Sequence, residues 1–172
     1  MKKIILSIVV LSMILSSCGN EKKKTKTPEK DKIEQKETVY QKEKSTTDVE
    51  KVTLNLGSND QMQFDKSELK VKEGQEVTLI LTHTGTMLKT VMGHNFVLLK
   101  KGTVVSDFAM EAMKASDNEY IPEGDVTIAY TKLIGGGESA TIKFIAPSKG
   151  VYDYICSFPG HYGIMKGKFI VE

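Results

Sequence analysis

Hydrophobic positions divide the chain into three stretches. Ile4 to Leu15 is apolar except at Ser7 and Ser12, and Met1, Lys2 and Lys3 give it a cationic start. Gly19 to about Thr47 is built from Lys, Glu, Thr, Gln and Asp, with Ile33, Val39 and Tyr40 as its only large apolar residues. From about Val49 the pattern changes to short alternating or β-branched runs punctuated by Gly and Pro. Val52–Leu56 and Leu69–Lys72 alternate, and Glu76–His83 is β-branched and aliphatic. Asn95–Leu99, Val126–Thr131, Ala140–Ala146, Val151–Cys156 and Lys168–Val171 complete the predicted strands. Turns are expected at Glu73-Gly74, Gly102, Pro122-Glu123-Gly124, Gly135-Gly136-Gly137, Pro147 and Gly150. Ser106–Ala115 differs: Phe108, Ala109, Ala112 and Met113 fall at helical spacing, with Ser106 or Asp107 available as N-cap. The expectation is an all-β Greek-key sandwich or barrel with a short helical flap.

The first two stretches decide the compartment. An apolar run ending at Leu15 is too short to span a hydrocarbon core of about 30 Å, which takes about 20 residues, and fits a secretory signal instead. Leu15-Ser16-Ser17-Cys18 follows it and resembles a bacterial lipobox, in which the Cys is lipidated and becomes the new N-terminus. Residues 1–17 are accordingly expected to be a lipoprotein signal peptide and 18–48 a lipidated Cys18 with a flexible charged linker. Residues 49–172 are expected to be the folded domain. The linker cannot bury enough apolar surface to offset its ordering entropy. At about 5–6 Å times the square root of its length, such a tether reaches on the order of 30 Å. The domain would stand clear of a bacterial membrane on its periplasmic side, with the choice of inner or outer membrane open.

The 172 residues carry 27% charged side chains but a formal net charge of only +2, so nothing favours nucleic acid as a partner. Cysteine is more informative. With Cys18 lipidated, only Cys156 remains of the two cysteines, and an intrachain disulfide is impossible. A lone exported cysteine implies intermolecular pairing, a reactive thiol or metal ligation.

Cys156-Ser157-Phe158-Pro159-Gly160-His161-Tyr162-Gly163-Ile164-Met165 places a thiolate, an imidazole and a thioether in one loop between two strands. Met92-Gly93-His94-Asn95 adds a second imidazole upstream. Each residue alone has a bland reading: a surface histidine, a small buried cysteine, a methionine filling the core. Together, two imidazoles and one thiolate with a distant thioether form the donor set of a blue-copper electron-transfer site. Structural zinc sites use several thiolates, and this domain has one.

At these motifs the domain resembles the azurins, within the cupredoxin family. Asn59-Asp60-Gln61-Met62-Gln63-Phe64, Val91-Met92-Gly93-His94-Asn95, Thr131-Lys132-Leu133-Ile134-Gly135-Gly136-Gly137-Glu138 and Cys156 through Gly167 carry the likeness. The resemblance implies an eight-stranded sandwich with one type 1 copper near one end. It implies His94, Cys156 and His161 as strong equatorial ligands, Met165 as a weak axial ligand and the Gly93 carbonyl opposite. It also implies that Asn95 pairs with Ser157 and that the backbone N–H groups of Asn95 and Phe158 point at the sulfur. His161 would lie on the exposed side within an apolar patch of Met62, Met87, Met92, Phe158, Pro159 and Gly163. Such a patch suits brief docking to redox proteins such as c-type cytochromes or copper enzymes. His83 matches a packed histidine beside the site rather than a ligand. Three departures stand out: no cysteine occurs at Lys72-Glu73-Gly74-Gln75, near where azurins usually carry a disulfide, Phe96 follows the His-Asn pair where azurins often have an aromatic such as Trp, and Tyr162 replaces a smaller residue.

Two other functions compete with electron transfer. A copper chaperone or storage protein could use the same ligands without redox cycling, although chaperones favour exposed, exchangeable sites. An enzyme using Cys156 and His161 as a nucleophile pair would need an oriented base and an oxyanion site, and the sequence offers neither.

Overall fold

The structure is a computed structural model that describes residues 49–172. The expected signal peptide, the lipidated Cys18 and the linker lie outside the described residues. Among the described residues eight strands run in order: β1 (Lys51–Ser58), β2 (Glu68–Val71), β3 (Glu76–His83), β4 (Val97–Leu99), β5 (Thr127–Tyr130), β6 (Ser139–Ile145), β7 (Gly150–Ile155) and β8 (Lys166–Val171). Helix α1 (Lys89–Met92) precedes β4, and α2 (Val105–Ala112) with a 3-10 turn (Ser116–Asn118) lies between β4 and β5.

Alternation turns these strands into layers. In β3, Val77, Leu79, Leu81 and His83 point inward, while the residues between them stay half-buried. β3 sits centrally in a three-stranded sheet, β1-β3-β6, parallel to β1 and antiparallel to β6. The second sheet has the order β2-β8-β7-β4-β5, with β2 parallel to β8 and the remaining pairs antiparallel. The core between the sheets includes Leu56, Leu79, Leu81, Phe96, Leu98, Tyr154 and Phe169. Each such side chain contributes about 1.5–3 kcal/mol by leaving water.

β4 has no alternation because both its faces are covered. Phe96 and Leu98 enter the main core, whereas Val97 and Leu99 join Phe108 and Ala112 of α2, with Ile121 and Ile155, in a second cluster. The helical flap thus exists to cover the outer face of one buried strand.

Several expectations shift. The flap helix is Val105–Ala112 rather than Ser106–Ala115, and its N-cap is Val104 with no side-chain cap. Ser106 and Asp107 lie inside the first turn, where the Asp107 carboxylate favours the helix dipole instead. Phe108, Ala109 and Ala112 face inward as expected, but Met113 is 49% exposed because it lies one position past the packed stripe. The single turn α1 is not legible in the sequence, since Thr90 and Val91 are weak helix formers. It forms because the Leu88 carbonyl accepts from the N–H groups of both Val91 and Met92. At Lys72-Glu73-Gly74-Gln75 the turn is closed by hydrogen bonds. Buried Gln75 accepts through Oε1 from the Lys72 N–H at 2.7 Å, and Gly74 turns with φ +76°.

Candidate metal centre

The loop from Cys156 to Met165 closes on itself. The Cys156 N–H donates to the Met165 carbonyl at 2.9 Å, and the Met165 N–H to the His161 carbonyl at 2.8 Å. β7 and β8 are paired from Ile155 and Lys166 onward, so both ends of the loop are anchored in the sheet. Opposite it, His94 exchanges both backbone hydrogen bonds with Ile134, at 2.9 and 2.8 Å. Gly93 before it cannot be larger: a Cβ there would meet the Lys89 carbonyl at 2.5 Å and the Leu133 and Phe158 side chains within 3 Å.

This scaffold brings together His94, Cys156 and His161. Cys156 Sγ lies 3.8 Å from His94 Nδ1, 3.6 Å from His161 Nδ1 and 3.8 Å from the Gly93 carbonyl oxygen. The three donor atoms lie within 4.8 Å of one another. His94, Cys156 and Met165 are fully buried, and His161 retains 3% of its surface.

Protonation follows from the surroundings. His94 Nε2 is 2.9 Å from the Asn59 carbonyl. A carbonyl only accepts, so Nε2 carries the proton and Nδ1 presents a bare lone pair to the site. Burial lowers the pKa of His94 and, reinforced by the neighbouring His94 and His83 rings, pushes His161 down to about 4. Both rings are therefore neutral at pH 7. Burial also pushes the Cys156 thiol up to about 12, with the N–H groups of Asn95 and Phe158 pulling the other way through bonds to the sulfur. Without a cation the sulfur keeps its proton; a bound metal displaces it.

Asn95 and Ser157 join the two loops. Asn95 Oδ1 accepts from the Ser157 N–H at 2.8 Å, and Asn95 Nδ2 donates to Ser157 Oγ at 2.9 Å. The Ser157 hydroxyl donates onward to the Tyr120 carbonyl at 2.8 Å. His83 stacks on His94 with ring centroids 4.4 Å apart. Its Nδ1 accepts from the Gly85 N–H, so its Nε2–H donates to the Met92 carbonyl at 3.2 Å, and it offers no lone pair to the centre.

The structure also brings in contributors that carry no metal donor of their own. Asn59 organises its own loop by accepting from the N–H groups of Gln61 and Gln63, which aims its carbonyl at His94. Glu119 and Tyr120 adopt φ of +53° and +63°. For side chains other than Gly this costs about 1–2 kcal/mol per residue. No pattern of hydrophobicity announces either feature.

Of the residues expected in the apolar patch, Met62, Met92, Phe158 and Pro159 are half-buried, and Met87 and Gly163 are exposed. Leu88, Val91 and Ile164, at 72%, 57% and 62% exposure, were not anticipated there; all three lie on the segments that carry His94 and His161.

One buried thiol and two imidazole nitrogens suit a soft or borderline ion, not the oxygen-rich sites of calcium or magnesium. Residues 50–172 match the model of the copper binding proteins, plastocyanin/azurin family. The chain belongs to that family. It is 40% identical to azurin-1 of Alcaligenes xylosoxydans xylosoxydans over 120 residues, which cover 67% of this chain and 93% of that protein. It is 41% identical over 116 residues to outer membrane protein H.8 of Neisseria meningitidis serogroup B, covering 64% of this chain and 62% of that one. Among solved structures, the blue copper protein auracyanin A of Chloroflexus aurantiacus aligns with TM-score 0.66 and 35% identity, over 71% of this chain and 99% of that one. An azurin from the methylotroph Methylomonas sp. strain J aligns with TM-score 0.64 and 38% identity, over 70% and 97%. The fold is that of an azurin-like cupredoxin, and its metal is copper.

Proposed function

We propose that this cupredoxin is a membrane-tethered electron carrier of the cell envelope, exchanging single electrons through one copper. The observation that carries this reading is the convergence of His94 Nδ1, Cys156 Sγ and His161 Nδ1 within 4.8 Å at a buried point. In this reading these atoms would hold the copper, with the Met165 thioether and the Gly93 carbonyl as further, weaker donors. The ion supplies a one-electron couple. The chain supplies a cage whose donors are fixed before the metal arrives: Asn59 sets the His94 tautomer, and the Asn95–Ser157 pair holds the two loops at constant spacing. The N–H groups of Asn95 and Phe158 withdraw charge from the sulfur, which favours the reduced state.

All four side chains are buried and His161 retains the most surface, 3%, so exchange would run outward through His161. Met62, Met87, Met92, Pro159 and Gly163, joined by Leu88 and Ile164, would form the docking patch. Apolar contact of this kind gives brief, small interfaces, as suits c-type cytochromes or copper enzymes. The H.8 relative, named for the outer membrane, supports placement in the envelope, with Cys18 as the lipid attachment point and residues 18–48 as the tether.

The full chain loaded with Cu(II) should show a reversible one-electron couple and reduce or oxidise a soluble c-type cytochrome. Copper binding with no reversible couple, but with rapid hand-off to an apo acceptor, would support storage or delivery instead. Replacing Cys18 by Ser should release the protein from the membrane fraction while leaving the couple unchanged; persistence in the membrane would overturn the tether.

A further inference from the structure

The residues after the 3-10 turn hold no metal donor, yet they touch the chain beside both ligand loops. The Glu119 carbonyl accepts from Asn95 Nδ2 at 3.3 Å, and the next carbonyl, of Tyr120, accepts from Ser157 Oγ at 2.8 Å. Two successive carbonyls are thus delivered to the pair that joins the loops. Delivering them requires both residues in the left-handed region, which relaxes unless it is anchored.

The anchor is the Glu119 side chain. Its Oε2 accepts from the Leu133 N–H at 3.0 Å, and its Oε1 lies 4.0 Å from Lys89 Nζ. Leu133 immediately precedes Ile134, which exchanges both backbone hydrogen bonds with His94. Lys89 opens the helical turn that leads into Gly93 and His94. One carboxylate therefore ties both chain segments flanking His94 to a backbone that itself grips Asn95 and Ser157.

We propose that Glu119 is a positioning residue of the copper centre, holding the Asn95–Ser157 pair, and with it the N–H groups at the Cys156 sulfur, from outside the ligand set. The inference rests on the copper reading above. The bland alternative is a surface ion pair, and the Lys89 contact fits it: both side chains are nearly half exposed, at 48% and 43%, and such pairs contribute little. The bond to the Leu133 N–H does not fit it, because it needs an acceptor at that place rather than a charge. That difference separates the two readings.

The test uses the copper-loaded full chain with Glu119→Ala, Glu119→Gly and Glu119→Gln. Copper loss to a chelator and the reduction potential are measured for each, and thermal unfolding of the apoprotein controls for folding. Ala and Gly should both lose copper about 10-fold faster, in line with other residues that orient metal ligands. Their potentials should fall as the N–H groups at the sulfur loosen. Gln keeps an amide oxygen for the Leu133 N–H and should stay within about twofold of wild type. Gly fits the left-handed backbone without strain, so recovery in Gly alone would assign the effect to strain and overturn the proposal. Wild-type copper loss and potential in Ala and Gly would also overturn it, as would Gln behaving like Ala. A wild-type chain with no reversible couple would instead sink the copper reading itself, and that is seen before any variant is made.

Discussion

Cys156 is wholly buried, and burial alone would keep its proton. The same desolvation that raises the thiol to about 12 depresses His161 to about 4 and lowers His94, so in the apoprotein all three groups are neutral near pH 7. The signs fix a pH window for the apoprotein. His161 has its folded value below the ordinary 6.5, so its contribution is complete above 6.5 and is lost as pH falls toward about 4. Cys156 has its folded value above the ordinary 9.0, so its contribution is complete below 9.0 and is lost as pH rises toward about 12. Thermal unfolding of the apoprotein against pH should therefore show a plateau between about 6.5 and 9, with loss on both sides; rising stability on acidification from 6.5 to 4 would contradict these assignments. At this scale much of the site was legible. His94, Cys156 and His161 are rare residue types with chemistry of their own, at a spacing that means little unless they meet. Asn59 and Glu119 were not legible, because Asn59 acts through a backbone carbonyl and the Glu119 carboxylate meets a backbone N–H, that of Leu133, which no sequence pattern pairs with it.

The elements explain why the cage is rigid. β3, β6, β7 and β8 were readable from alternation and β-branched content: β3 has the expected bounds, β6 and β7 each start and end one residue earlier, and β8 starts two residues earlier. β4 was readable only as an apolar run, since α2 covers its second face and erases the period. α1 escaped because its one turn is held by the Leu88 carbonyl against poor helix propensity. The flap gives a test of division of labour. Phe108 is 5% exposed and plugs the cluster under α2, beside an open groove of about 370 Å³ lined by Val104, Pro122 and Val126. Phe108→Ala should cost stability toward the lower end of the usual 3–5 kcal/mol, roughly 3 kcal/mol, because water can enter the vacated space from the groove. Chemical denaturation would report it. The visible spectrum of the copper form should not change, because Phe108 touches none of the donor atoms; a bleached spectrum would show that the flap shapes the centre.

For the molecule as a whole, the proposed function would separate storage of the electron from recognition of the partner. The donors are buried at one end of the sandwich, while Leu88, Val91, Met87 and Ile164 stay exposed on the segments around them. Leu88→Asp should slow electron exchange with a c-type cytochrome about tenfold, equivalent to about 1.4 kcal/mol, by placing a charge in an apolar contact. Stopped-flow mixing measures that rate, and an unchanged rate with an unchanged spectrum would move the docking face elsewhere. The tether proposed for residues 18–48 would leave this face free to turn toward donor and acceptor in succession.

Everything functional in this domain depends on one thiolate and two imidazoles closing on a single copper. Titration of the full chain with Cu(II), followed together by visible absorption and EPR, tests it most directly. An intense sulfur-to-copper band that saturates at one equivalent is expected, with an unusually small copper hyperfine splitting, both lost in Cys156→Ser. Binding that stays colourless, or a spectrum that survives removal of the thiol, would contradict it.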